Sequence, residues 1–284
     1  MATSDEEGNF RGSVGKLIYR NIKGKTIIQS KPAPGITKQT AATNASKIDF
    51  SLGSNRAKIM RYVLFPMLNG KHDAKMINRF NTAVGDVVRS NTALQPGFRD
   101  LEDGDMALLN GFEFNMNSPF ASMLGVKLTM TQSFHKGVTI SLPTFEVKED
   151  LVFPDMAAGV VLRVLISALN LQRNEYQYCG YAELNIPLGS VVVPKTEWSF
   201  LEMMPDQCLF LASCSLDYYG SGLYTAYGLN SVKLHPVTII GLQSSQEFEF
   251  QLPGPQDETD LWHKWMPIPG ADGNKYLNDD YSPW

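Results

Sequence analysis

The chain is poor in the residues that supply cross-links and metal sites. Its 284 residues include three cysteines, Cys179, Cys208 and Cys214, and four histidines. An odd number of cysteines in unpatterned spacing, all within predicted strands, suits buried thiols better than a disulfide framework. His72, His135, His235 and His263 are scattered, none at the i, i+4 spacing of a helical metal pair. No window approaches 18 apolar residues, which argues against a membrane-inserted helix, and the start Met-Ala-Thr-Ser-Asp-Glu-Glu has neither the positive region nor the apolar run of a secretory signal. The expected location is cytoplasmic, virion-like or reached by a route other than general export.

Motifs that resemble chemical sites fail on spacing. Lys23-Gly-Lys-Thr26 ends like a phosphate-binding loop, but the position of the required first glycine is Tyr19 and Ile27-Ile28 follows in strand form. Asp100-Leu-Glu-Asp-Gly-Asp105 gathers four carboxylates, yet its glycine comes one place early for a calcium loop and no bidentate Glu follows. Gly220-Ser-Gly222 lacks the spacing of a nucleophile elbow, and Glu146, Glu149 and Asp150 read as a solvated face. No acid/base pair, nucleophile or metal set stands out. The expectation is a protein without catalytic residues, cofactor or metal.

What the chain does have is charge segregation. Residues 8–48 hold eight Lys or Arg and no acid, whereas residues 49–284 hold 17 basic and 26 acidic residues, a net −9. The basic stretch is interleaved at strand spacing with Leu17, Ile18, Ile22, Ile27 and Ile28, and Tyr19 alone could stack on a base, which favours protein pairing over nucleic acid. Residues 14–20 and 25–30 read as a strand pair around a turn at Asn21–Lys25, and Lys31-Pro-Ala-Pro-Gly35 as a stiff linker. An isolated two-stranded ribbon is marginal in water, so it must pair with something.

From Thr37 the period becomes helical. Ala41, Ala45, Ile48 and Leu52 form one stripe; Ala57, Met60, Val63 and Leu64 resume it after Gly53-Ser54; Met76, Phe80, Ala83, Val84 and Val87 make another. Beyond Gln95-Pro-Gly97 the pattern is β, with strands expected at 106–115, 126–132, 138–142, 160–170, 178–186, 208–216, 231–242 and 247–252. The domains read as a ribbon arm and linker over 1–35, a helical segment over 36–95, a sandwich over 96–252 and an acidic Trp/Pro-rich tail over 253–284. The fold class is mainly β: ribbon and short helical segment, then an immunoglobulin-like or jelly-roll-like antiparallel β-sandwich.

Gly12-Ser-Val-Gly-Lys16, Ile22-Lys-Gly-Lys25, Gln29-Ser-Lys-Pro32, Thr37-Lys-Gln-Thr40 and Phe80-Asn-Thr-Ala-Val84 give residues 12–90 a resemblance to an uncharacterised Bacteroidetes family, a domain of unknown function. The resemblance implies ribbon, helix and sandwich in that order, and no activity. The acidic tail departs from that pattern. The function expected is a non-enzymatic structural subunit that self-assembles into a filament or particle, its N-terminal strands added to a neighbouring copy, with a phage structural or decoration protein as a variant. Leu17, Ile18, Tyr19, Ile22, Ile27, Ile28, Trp262 and Trp265 are the expected assembly contacts. The alternative is a surface or carbohydrate-binding module whose glycan stacks on Tyr218, Tyr219, Tyr224 and Tyr227.

Overall fold

The computed structural model describes residues 2–4, 8, 10–22, 25–31, 39–133, 137–200, 208–222, 225–245 and 265–268. The protein is mainly β, and it falls into two compact units, Met1–Ala45 and Ser46–Trp284.

The first unit contains a four-stranded antiparallel meander of β1 (Ala2–Ser4), β2 (Phe10–Val14), β3 (Leu17–Ile22) and β4 (Lys25–Ser30), paired in that order. From sequence, residues 14–20 read as one strand. Instead the chain reverses at Gly15-Lys16: Val14 pairs with Leu17, and Gly15 has φ 57°. That left-handed conformation carries no Cβ penalty at glycine and matches the twist of a two-residue hairpin. β3 then pairs with β4 from Leu17↔Ser30 to Ile22↔Lys25.

The second unit is built on α1 (Ala41–Val63), α2 (Phe65–Leu68) and α3 (Met76–Ser90), the first of which starts just before the unit boundary. Thr40 caps α1, its Oγ1 accepting from the Thr43 N–H at 3.2 Å and so satisfying one of the donors a helix start leaves open. The helix runs unbroken through Gly53, where the sequence period reads a pause. Gly53 lies against α3: a Cβ there would be 3.1 Å from the Cα of Gly85. The missing side chain lets two helices approach closely.

Two 3-10 turns follow, Leu101–Asp103 and Met106–Leu109, then α4 (Phe120–Met123), β5 (Thr129–Ser133), β6 (Gly137–Leu142), β7 (Phe145–Glu146) and α5 (Val147–Asp150). The strand expected over 106–115 begins instead as one of these turns, because the Asp105 carboxylate accepts from the Ala107 N–H and draws the chain into a cap. The remaining strands are β8 (Gly159–Asn170), β9 (Glu175–Pro187), β10 (Val192–Val193), β11 (Thr196–Phe200), β12 (Leu209–Ser221), β13 (Ala226–Gly228), β14 (Val237–Ser244) and β15 (Met266–Pro267).

The large antiparallel sheet has the order β13-β12-β8-β9-β15, with β14 also on β12; β11-β6-β5 forms a smaller sheet and β10-β7 a pair. Strand alternation sends even-numbered residues of β8 and β12, from Val160 to Ala168 and Phe210 to Tyr218, into one core with Val138, Ile140 and Leu142 of the small sheet. Odd-numbered Leu165, Leu169, Leu209 and Leu211 join Val237 and Ile239 in a second core with Ala57, Met60, Leu64, Phe80, Val84 and Val87 of the helices. The second unit is therefore layered as helices, large sheet, small sheet. The helical segment shares a core with the strands. No helix among the described residues is long and apolar enough to cross a membrane.

At an open surface, replacing a helical glycine by Leu gains roughly 0.8–1 kcal/mol of helix propensity. At a closed crossing it overpacks, at about 1–3 kcal/mol. Gly53→Leu is expected to lower the urea midpoint; a raised midpoint would show that the crossing at Gly53 is not tight.

Candidate functional site

The ribbon register sorts its side chains by chemistry. Cross-strand partners Phe10, Gly12 and Val14 on β2, Leu17, Tyr19 and Asn21 on β3, and Thr26, Ile28 and Ser30 on β4 share one face, which carries no charge. Phe10 and Tyr19 touch there, ring centroids 5.8 Å apart. The opposite face carries Arg11, Ile18, Arg20, Lys25, Ile27 and Gln29. Every charged residue within the four strands lies on that side.

Among the described residues of the ribbon none is buried, and on the uncharged face Val14 and Ile28 are each 56% exposed, Phe10 49% and Leu17 41%. Burying an aliphatic or aromatic side chain of this size contributes roughly 1.5–3 kcal/mol, so five on one side are a strong drive toward a second layer. Among the described residues nothing pairs with the outer edge of β4: all six of its residues are exposed, and Ile27-Ile28 stands between Lys25 and Lys31. Unpaired edges of this kind accept further strands unless charge or proline blunts them.

Of the assembly residues expected from sequence, Leu17, Tyr19 and Ile28 share the uncharged face, and Ile18 and Ile27 lie on the cationic one. Ile22 ends β3, its side chain outside the described residues. Phe10 and Val14 were missed, because recognising them requires the reversal at Gly15-Lys16. Trp262 lies outside the described residues. Trp265 packs half-buried against the sandwich core of its own chain, where β15 pairs with β9 through Met266↔Tyr176.

Of the tyrosines expected to form a ligand loop, the three described ones, Tyr218, Tyr219 and Tyr227, do not share one surface. Tyr218 is 1% exposed, its hydroxyl donating to the Val152 carbonyl at 2.8 Å. Its neighbour Tyr219 points to the other side of the sheet, its hydroxyl donating to Asn185 Oδ1 at 2.9 Å. Tyr227 is exposed on β13, and Tyr224 lies outside the described residues. A stacking patch would need them on one surface.

The acidic motifs serve the fold. Arg56 grips Asp100 with Nε at 2.9 Å and Nη2 at 2.5 Å, and Asp100 with Asp103 forms a capping box on the turn. Among the described residues no group of three or more His, Cys, Asp and Glu could hold a metal. Cys179, Cys208 and Cys214 are free and buried; burial pushes the Cys179 thiol up to about 12 and that of Cys214 well above its ordinary value. Such thiols are poor nucleophiles at neutral pH.

His235 is the buried histidine of the body, 2% exposed. Its Nε2 donates to the Met67 carbonyl of α2 at 2.7 Å. Its Nδ1 accepts from Asn230 Nδ2 at 2.7 Å, and the same amide nitrogen donates to the Leu216 carbonyl. This pattern assigns the neutral tautomer. Asp217 Oδ1 lies 3.6 Å from Nδ1, at a polar end of the sheet where Arg163 bridges Asp217 and Glu183 and Tyr181 donates to Glu183. Burial lowers the His235 pKa, helped by Lys71 and Arg163 and opposed by the Met67 bond and Asp217.

Comparison with protein-family models, curated proteins and solved structures finds no match for this chain.

The His235 arrangement fixes the sign of a pH effect. The unfolded chain's histidine titrates near 6.5, and the native one at a lower value, so below about pH 6.5 the unfolded state takes up a proton that the native state resists. Stability is expected to be full above that pH and to fall on acidification until the native pKa is passed. His235→Gln should be less stable at pH 7 and show a flatter decline between pH 7 and 5; equal slopes in the two proteins would remove His235 as the cause.

Proposed function

We propose that this protein is a non-enzymatic structural subunit that self-assembles, into a filament or particle, through its N-terminal ribbon. The observation that carries the reading is a four-stranded sheet in which, among the described residues, no side chain is buried, one face is uncharged and apolar, and nothing pairs with the outer edge of β4. Strand addition supplies affinity through main-chain hydrogen bonds and specificity through alternate side chains. A contact between different surfaces on two copies propagates into a ring or filament. Charge favours ribbon against body, +8 against −9, but attraction between exposed charges fades beyond about 8 Å at physiological ionic strength. Charge therefore steers the encounter and the apolar side chains hold it. The resemblance of residues 12–90 to the Bacteroidetes family adds no activity to this proposal.

Both cores are built from residues between Ala57 and Ile268, so deleting residues 1–34 should leave cooperative melting intact and abolish high-mass species in light scattering. Assembly unchanged by the deletion would overturn the reading. Within the full chain, Leu17→Ser with Ile28→Ser should weaken assembly more than Arg11→Gln with Arg20→Gln, since a buried apolar side chain contributes roughly 1.5–3 kcal/mol and an exposed ion pair about 0–1. The reverse ranking, together with salt-sensitive binding to DNA or RNA, would point to a nucleic-acid arm instead.

A further inference from the structure

Among the described residues, the outer edge of β14 is only half covered. Along its first residues Gly111–Phe114 runs antiparallel to it: Gly111 N–H donates to the Ile239 carbonyl at 2.8 Å, Ile239 N–H to Phe112 at 3.3 Å and Phe114 N–H to Val237 at 3.0 Å, with Glu113 opposite Thr238. Before Gly111 the chain turns away into the 3-10 turn Met106–Leu109. Where its ladder would have continued there is a cavity of about 700 Å³, between Asn110, the Gly241–Gln243 edge and an apolar wall of Leu124, Val126 and Leu128.

The cavity has the chemistry of an unfinished ladder. Ile239 turns both main-chain groups away from β12, and the bulge opposite Ala212 shifts the alternation by one residue, so Leu242 is the next to do so. Gln243, which lines the cavity, has its Oε1 buried without a donor. On the far side β5 pairs, among the described residues, with β6 alone, and the thioether of its Met130 lies over Gly241, 2.8 Å from where a Cβ would be. An occupant must be extended, bring hydrogen-bond donors to an edge, and place apolar side chains against the wall.

We infer that this half-covered edge is the acceptor for β4 of a second copy, an inference that rests on the self-assembly reading. β4 is an exposed edge strand with Ile27 and Ile28 directed to opposite sides and Thr26, Gln29 and Ser30 as donors. Lys25 and Lys31 bracket it, and its charge is opposite to the net −9 of residues 49–284. Donor and acceptor are then different surfaces, so each added copy presents a fresh acceptor.

The test uses two full-length variants. Gly241→Val keeps the donor and fills the acceptor; Ile27→Glu with Ile28→Glu keeps the acceptor and spoils the donor. In sedimentation velocity each alone should need at least roughly tenfold more protein to assemble, and an equal mixture should give a one-to-one complex that does not grow. If Gly241→Val assembles like the wild type while the Ile27, Ile28 variant does not, the ribbon docks elsewhere: this inference falls and the self-assembly reading stands. A mixture that stays monomeric also overturns the acceptor site, and wild-type assembly by both variants would count against both readings. Should Gly241→Val fail to fold, Ile28→Cys and Leu128→Cys chains can be mixed with a bifunctional maleimide, the native thiols being buried. A cross-linked dimer is expected; assembly without cross-linking would place β4 somewhere else.

Discussion

A β-sheet has two faces and two edges, and each must be covered by something or face water. In the body this constraint is met around β8. From Val164 to Asn170 both of its faces are buried, helices on one side and the small sheet on the other, with β12 and β9 along its edges. His235 ties the layers together, since one imidazole reaches the end of α2 through Met67 and the sheet through Asn230. The ribbon is made of similar strand-forming residues, and β3 has β2 and β4 along its edges, but no described residue of that sheet is buried on either face. That contrast, more than any single residue, is why the N-terminal strands are assigned the intermolecular role.

Acidic residues in the body hold the irregular stretch between α3 and β5 in place. Asp49, 4% exposed, accepts from the Gly97 N–H at 2.7 Å. Asp73 receives Arg79, the Met116 N–H and the Lys75 N–H; burial pushes its carboxyl up, and these bonds outweigh it, so the net shift is downward. Arg79 also donates to the Glu113 carbonyl and lies over the Phe112 ring. A loop with little regular ladder of its own is thereby fixed beside β14, which is what leaves the remainder of that edge open.

Strong periodicity was legible in the sequence. The nearly unbroken apolar run at 160–169 is the central strand, and the Met76, Phe80, Val84 and Val87 stripe is the buried side of α3. The misreadings share a cause, which is that a glycine has several structural uses. Gly53 looks like a pause and is a helix crossing; Gly15 looks like a strand residue and is a hairpin turn. Missing that turn changes the register, and register decides which apolar residues share a face. Ile18 and Ile28 look equivalent by spacing and lie on opposite sides. Tyr218 and Tyr219 illustrate the same point, because adjacency in a strand means separation in space. The cavity beside β14 has no sequence signature, since it is the absence of a strand between segments far apart in the chain.

Charge and apolar surface are segregated between the two sides of the ribbon, and this bears on synthesis. The ribbon is made before any residue of either core. At about 5–20 residues per second, the remaining 239 residues after Ala45 take on the order of 10–50 seconds to translate, during which the apolar side has no body to meet. Until then the uncharged side of the ribbon faces solvent, while the cationic side keeps the emerging segment hydrated.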